Sequence, residues 1–257
     1  MKEIPLILVH GFPFDHTMWF STIASLGSKA KVIAPDLPGF TRTPLPNDGK
    51  PSMEAYADFL ARQIDENKFE KVVMAGMSMG GYVALAFAEK YPGRLCGLGL
   101  ISSQAGADSE EGKQARKEML KNIKEKGPSA VTEAIIPKMF SEAASAKEEL
   151  TRYPKEGAEK AGAEGLSWAV QAMAARPDRS AVLGELRCPV LILHGTEDKI
   201  VLVAKARALR EVCYKPIFVE VPGAGHATPL EAPDQVANAL ARLIKACKEF
   251  AAAEKNS

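Results

Sequence analysis

Lys71-Val72-Val73-Met74-Ala75-Gly76-Met77-Ser78-Met79-Gly80, continuing into Tyr82-Val83-Ala84-Leu85-Ala86-Phe87-Ala88-Glu89-Lys90, is the stretch whose reading decides the fold. The apolar, β-branched run before Gly76 reads as a buried strand, and the run from Tyr82 reads as a helix. Gly76 to Gly80 must then turn the chain sharply, which is the setting of a nucleophile elbow. The residue at the apex of such a turn is strained, so small residues two places before and after it avoid clashes. Ser78 is thereby held out above the sheet edge. The five-residue pattern is weak by itself, and the flanking strand and helix strengthen it. A glycine-rich strand-to-helix turn of a nucleotide-binding fold, with Ser78 as a cap, is the structural alternative. Neither Gly-x-Gly-x-x-Gly nor a Gly-Lys-Ser/Thr phosphate loop is present here.

Partners for a serine occur downstream. Pro189 to Leu193 reads as a buried strand, and His194-Gly195-Thr196-Glu197-Asp198 carries the chain into a loop that places Asp198 just beyond the strand's carboxyl end. Active-site groups of open parallel sheets collect at that edge. Pro216 to Val221 reads as a further strand, followed by Pro222-Gly223-Ala224-Gly225-His226, so His226 reaches the same edge. Glu197 and Asp108 are rival acids, and the Gly195-x-x-Asp198 spacing favours Asp198. His10, His16 and His194 are read as structural.

Six β-rich runs, Ile4 to Val9, Lys31 to Pro35, Lys71 to Ala75, Leu95 to Ile101, Pro189 to Leu193 and Pro216 to Val221, alternate with helix-like stretches. That pattern is α/β with a mostly parallel sheet flanked by helices. Ser52 is placed to cap a helix with Tyr56, Phe59, Leu60 and Ile64 on its apolar face. The interval after Ile101 breaks the alternation and reads as short helices. One runs from about Glu111 to Lys126, one is capped by Ser129 and ended or kinked by Pro137, and one covers Gly165 to Arg176. The expected division is a core of residues 1–104 and 186–257 with an inserted helical cap over 105–185.

At 257 residues, 46% hydrophobic and 25% charged, the chain can bury a large core. A formal charge of +1 with no basic stripe among aromatics makes nucleic acid an unexpected partner. Met1-Lys2-Glu3 enters the first strand without an apolar signal region, and no run is long enough to cross a bilayer, so the expectation is a cytoplasmic protein with no membrane partner. Cys96, Cys188, Cys213 and Cys247 are far apart in sequence, which predicts reduced buried thiols and neither disulfides nor a metal site. With no His-Glu-x-x-His and no dinucleotide fingerprint, no metal and no organic cofactor is implied.

Together with His10-Gly11-Phe12-Pro13, Asp36-Leu37-Pro38-Gly39-Phe40 and the continuation Ala227-Thr228-Pro229-Leu230-Glu231-Ala232-Pro233 after His226, the elbow gives a chain that resembles the α/β-hydrolase fold superfamily over nearly its whole length. The trailing Met18-Trp19 is similar to the small esterase and 3-oxoadipate enol-lactonase-like group. Relatives commonly carry Gly-x-Gly-x-Ser where this chain has Gly39-Phe40-Thr41-Arg42-Thr43, and they often place antiparallel strands first, whereas the expectation here is a sheet that starts directly at the Ile4 strand.

The chemistry expected is serine hydrolysis of a small to medium carboxylic ester or lactone. Serine is a poor nucleophile at neutral pH and needs a base to take its proton, a role for His226, while Asp198 fixes the imidazole tautomer. The Met79 N–H, next after the nucleophile, is one oxyanion donor, and the resemblance implies Phe12 N–H as the second. Trp19, Met119, Ile135, Met139, Trp168 and Met173 are the candidate substrate-lining residues, the cap helices forming an apolar roof over the serine. Arg42 and Arg176 are read as surface arginines, or as pocket cations for a charged substrate. Carbon–carbon bond hydrolysis, hydroxynitrile lysis and perhydrolysis use the same three residues, and a ligand-binding protein on the same fold is the non-enzymatic reading. The oligomeric state has no signature in the sequence.

Overall fold

A computed structural model describes residues 4–46 and 49–254. The extreme termini of the expected core, residues 1–3 and 255–257, lie outside them. The six expected strands form one parallel sheet: β1 (Leu6–Val9), β2 (Val32–Ile33), β3 (Val72–Met77), β4 (Leu95–Ile101), β5 (Val190–Gly195) and β6 (Ile217–Val221), in the order β2-β1-β3-β4-β5-β6. The inner strands are apolar on both faces because helices cover both. Alternate residues divide accordingly. Ile7, Val9, Met74, Leu98 and Ile192 face one core cluster, and Leu6, Leu8, Val73, Ala75 and Leu191 face the other.

The helices are α1 (Phe20–Leu26), α2 (Met53–Glu66), α3 (Met79–Lys90), α4 (Glu110–Lys126), α5 (Ser129–Met139), α6 (Glu142–Ser145), α7 (Glu148–Ala175), α8 (Ser180–Glu185), α9 (Val203–Val212), α10 (Thr228–Glu231) and α11 (Pro233–Glu254). On one face α2 packs with α3, burying Tyr56, Leu60 and Ile64, while α1 packs with α11 on the other. Ser52 caps α2 as expected, its Oγ accepting from Ala55 N–H at 3.1 Å.

Helices α4 to α8 stand between β4 and β5. One expectation there is corrected: Ser129 is the first residue of α5 and does not cap it, since its Oγ donates back to Lys126 O at 3.2 Å. Pro137 lies inside α5, two residues before its end at Met139. The stretch expected from Gly165 is the second part of α7, whose two halves meet at Gly162 (φ 63, ψ 179), a conformation glycine tolerates.

Candidate active site

The elbow has the geometry its residues demand. Ser78 has φ 51 and ψ −114, a strained conformation for a residue with a side chain. Its N–H donates to Ile101 O at 2.9 Å, and its carbonyl accepts from Ser103 Oγ at 2.8 Å, so neighbouring β4 pins the turn. A Cβ on Gly76 would run into the Gly80 carbonyl, and one on Gly80 into the Val9 and His10 carbonyls. Those contacts explain why both flanking positions are glycine.

Beyond β5 the chain enters the Asp198 loop, and beyond β6 the His226 loop. The two pack main chain to main chain, leaving no room for a Cβ on Gly195. They join Ser78 at one edge. His226 Nε2 lies 2.9 Å from Ser78 Oγ, and His226 Nδ1 lies 2.7 Å from Asp198 Oδ2. Ser78 is 9% exposed, whereas His226 and Asp198 are 1% and 4% exposed, so the chain of bonds is shielded and only its serine end reaches the surface.

Asp198 is held at both oxygens. Oδ1 accepts from Ile200 N–H and Val201 N–H, each at 2.8 Å, and Oδ2 faces both His226 and, at 3.1 Å, His194 Nε2. Burial by itself would raise its carboxyl. The electrostatic pull and hydrogen bonds of the two imidazoles, His226 first and then His194, outweigh that, holding it well below the usual carboxylate range. An ionised carboxylate only accepts, so the Nδ1 of His226 carries the proton and Nε2 turns a lone pair toward Ser78 Oγ. His194 Nε2 also lies 2.6 Å from Val201 O, and with two acceptors around it that nitrogen is the protonated one. This contact with Asp198 goes beyond the structural reading of His194. Its signal in the sequence is the four-residue interval from His194 to Asp198 across a turn.

The rival acids are elsewhere. Glu197 is exposed, and Asp108 is bonded to Arg176 at 2.7 Å and to Arg116 at 3.1 Å. Arg176, read in the sequence as a surface or pocket cation, is neither free nor exposed. It is 5% exposed, with its guanidinium 4.1 Å from the Tyr82 ring centroid. Arg42 is exposed.

The His10 loop lies beside the serine, since a Cβ on Gly11 would stand 3.4 Å from Ser78 Cβ. Buried His10 accepts from Leu37 N–H through Nε2 at 3.0 Å and contacts Gly11 O through Nδ1, which ties this loop to the Asp36-Leu37 segment. Among the described residues Phe12 N–H has no acceptor, and Met79 N–H, first in α3, has none within its helix. Trp19 and Met139 are fully buried in the cluster against α11, whereas Met173 is buried in the other, with Met119 and Trp168 packed against it. Ile135 touches both. The indole Nε1 atoms of Trp19 and Trp168 are buried without a partner.

Among the described residues no group of three or more His, Cys, Asp and Glu could hold a metal ion, and no helix is long and apolar enough to cross a membrane. The cysteines are all free. Three of them, distant in sequence, nonetheless gather: Cys96, Cys188 and Cys247 line a cleft of about 330 Å³ that Lys71 and Leu95, at the N-terminal ends of β3 and β4, also line. Burial pushes the Cys96 and Cys188 thiols up to about 11.

A parallel sheet with a strained serine at the β3–α3 turn, an acid after β5 and a histidine after β6 defines an α/β-hydrolase. The family model "Alpha/beta hydrolase family" matches residues 6–239, and the chain belongs to that family. A solved structure of a thermophilic esterase from Thermogutta terrifontis, with malate bound, is 36% identical, with a TM-score of 0.89 over 95% of this chain and 90% of that one. The enol-lactonase from Burkholderia xenovorans shares the fold at 21% identity, with a TM-score of 0.79 over 95% of this chain and 92% of that one. In sequence, the chain is 28% identical over 240 residues to the dihydrolipoyllysine-residue acetyltransferase component of the acetoin cleaving system of Pseudomonas putida. That match takes in 90% of this chain and 61% of that protein, so the chain spans less than two thirds of its relative's length.

Proposed function

We propose that this protein hydrolyses carboxylic esters or lactones of small to medium size through an acyl-enzyme on Ser78. The observation that carries the reading is the continuous chain Ser78 Oγ, His226 Nε2, His226 Nδ1, Asp198 Oδ2, with links of 2.9 and 2.7 Å. The 36% identity to an esterase over nearly the whole chain supports it.

In this mechanism Ser78 Oγ attacks the substrate carbonyl carbon as His226 Nε2 takes its proton. Asp198 stabilises the imidazolium that forms and holds the ring orientation. The negative oxygen of the tetrahedral intermediate faces Met79 N–H and Phe12 N–H, the two main-chain donors left without protein acceptors. Each such donor is worth about 2.7 to 4 kcal/mol to the transition state. His226 returns the proton to the leaving alcohol, which departs as the carbonyl re-forms. Water then attacks the acyl-enzyme with His226 again as base, releasing acid and free Ser78. A lactone follows the same steps, its alcohol remaining tethered to the acyl group.

The test is turnover of p-nitrophenyl esters of increasing acyl length and of simple lactones by wild type and Ser78→Ala. Turnover peaking at one chain length and abolished in Ser78→Ala is the expected result. A folded wild type inert toward every ester and lactone refutes the proposal and favours carbon–carbon bond cleavage, lyase chemistry or a binding protein.

A further inference from the structure

Glu231, the last residue of α10, has no part in the steps above, yet it sits at the junction between the His226 loop and the inserted helices. Both its carboxylate oxygens lie 3.0 Å from Gly225 N, and Oε2 also accepts from Ser141 N–H at 3.0 Å. Gly225 precedes His226, and Ser141 precedes α6. On the other side of His226, Ala227 N–H donates to Met139 O at 2.9 Å. Both neighbours of the histidine are therefore bonded to the same three residues, 139–141, one directly and the other through a single carboxylate. The approach is close: a Cβ on Gly225 would run into Ser141 N and the Phe140 carbonyl carbon.

We propose that Glu231 is a positioning residue for the hydrolytic reaction, fastening the His226 loop to the 139–141 stretch and so setting where His226 Nε2 stands relative to Ser78 Oγ. The inference rests on the hydrolase reading of Ser78, His226 and Asp198. Asp198 orients the ring through Nδ1, but the placement of Nε2 also follows the main chain that carries the ring. That main chain runs through Gly223 and Gly225, which supply little stiffness of their own. Hydrogen bonds from main-chain N–H groups to a carboxylate are about twice as strong as neutral ones, so one side chain can hold two segments in register. The inserted helices thus form part of the frame of the base as well as part of the fold around it.

Two variants of the full chain test this. Glu231→Gln keeps the volume and turns an NH2 toward one of the two donors. Ser141→Pro replaces the donor on the other side with a ring carbon that the Glu231 carboxylate must move away from, so it breaks the fastening at its second end. Residue 141 has φ −60 and ψ 164 and Phe140 has φ −116 and ψ 156, which suit a proline and its predecessor, and the Ser141 carbonyl still accepts from Ala144 and Ser145. The readouts are kcat and KM for the best p-nitrophenyl ester, and the downfield proton NMR signal of the His226–Asp198 Nδ1–H bond.

The expected result is a kcat lower by about 10- to 100-fold in each variant with KM little changed, and a broadened or lost downfield signal. Retained kcat with a sharp signal in both variants overturns the proposal, as does a loss confined to KM or to Tm. A wild type that turns over no ester or lactone overturns the hydrolase reading instead. The NMR signal then decides alone: its retention in both variants counts against Glu231 as a positioning residue, and its loss counts for it.

Discussion

Replacing Asp198 with asparagine preserves shape while removing one charge and one acceptor, so it isolates what the carboxylate does for His226. Oδ1 accepts from two main-chain donors at 2.8 Å. An amide NH2 placed there would face Ile200 N–H and Val201 N–H and leave both unpaired, at about 1 to 3 kcal/mol each. The amide oxygen therefore keeps that position and the NH2 takes the place of Oδ2, 2.7 Å from His226 Nδ1. The imidazole must then accept at Nδ1 and carry its proton on Nε2, which points an N–H at Ser78 Oγ and removes the base. A wrong tautomer in a Ser-His-Asp protease costs about 10⁴-fold, and about 5.4 kcal/mol follows from 1.36 kcal/mol per decade. The assay is kcat/KM on the best p-nitrophenyl ester, with circular dichroism and Tm to verify folding. A folded Asp198→Asn protein that keeps more than about a tenth of wild-type kcat/KM refutes this account of the tautomer.

Asp108→Asn is expected to separate stability from turnover. It leaves the Arg176 guanidinium buried without its counter-charge, and breaking such a buried pair costs about 3 to 5 kcal/mol. Urea unfolding should show that loss with kcat/KM unchanged, and a variant that loses turnover with normal stability would move the acid to Asp108. His10 bears on acid stability. Burial holds its pKa below the ordinary value, and protonation would take the lone pair that accepts from Leu37 N–H. The unfolded chain then binds the proton more readily, so stability contributed by His10 is complete above about pH 6.5 and declines as pH falls toward the lower folded value. Thermal melts from neutral to mildly acidic pH should show a shallower decline in His10→Gln, whose amide oxygen can still accept from Leu37. Equal slopes would refute the assignment.

What was legible in the sequence follows from how local each signal is. Strands buried on both faces are continuous apolar runs, so Leu95 to Ile101 reads as a strand with the same bounds that β4 has. The turn after β3 is legible because a sharp strand-to-helix junction restricts its flanking residues to glycine. Edge strand β2 is paired over only Val32–Ile33, less than its apolar run suggests. Helix α7 is hard to read because Pro154, Gly157 and Gly162 look like breaks. In the fold, Pro154 lies within the helix, and Gly157 is where the helix meets the Pro13 carbonyl. That glycine records a tertiary contact, and a local reading takes it for a turn.

What surrounds the site was hidden because it is held by pairs that no local spacing announces. Lys160 on α7 reaches buried Asp15 at 2.7 Å, across 145 positions of sequence, and the Asp15 carboxyl also accepts from Thr17 N–H at 3.0 Å. Arg179, after α7, bonds to both Glu54 and Glu89 on α2 and α3. These pairs tie the helices between β4 and β5 to separate points of the rest of the fold, while the Asp108–Arg176 pair holds the two ends of that stretch to each other. Each charged residue looks like an ordinary member of a solvated helix face until the fold brings its partner beside it. Glu231 belongs to the same class, six residues beyond Gly225 but 90 beyond Ser141. Its first contact is local and only the second is not, yet the second links the base to the inserted helices. Reactive groups can be read from residue type and chain order, whereas the groups that aim them become visible only through contacts across the fold.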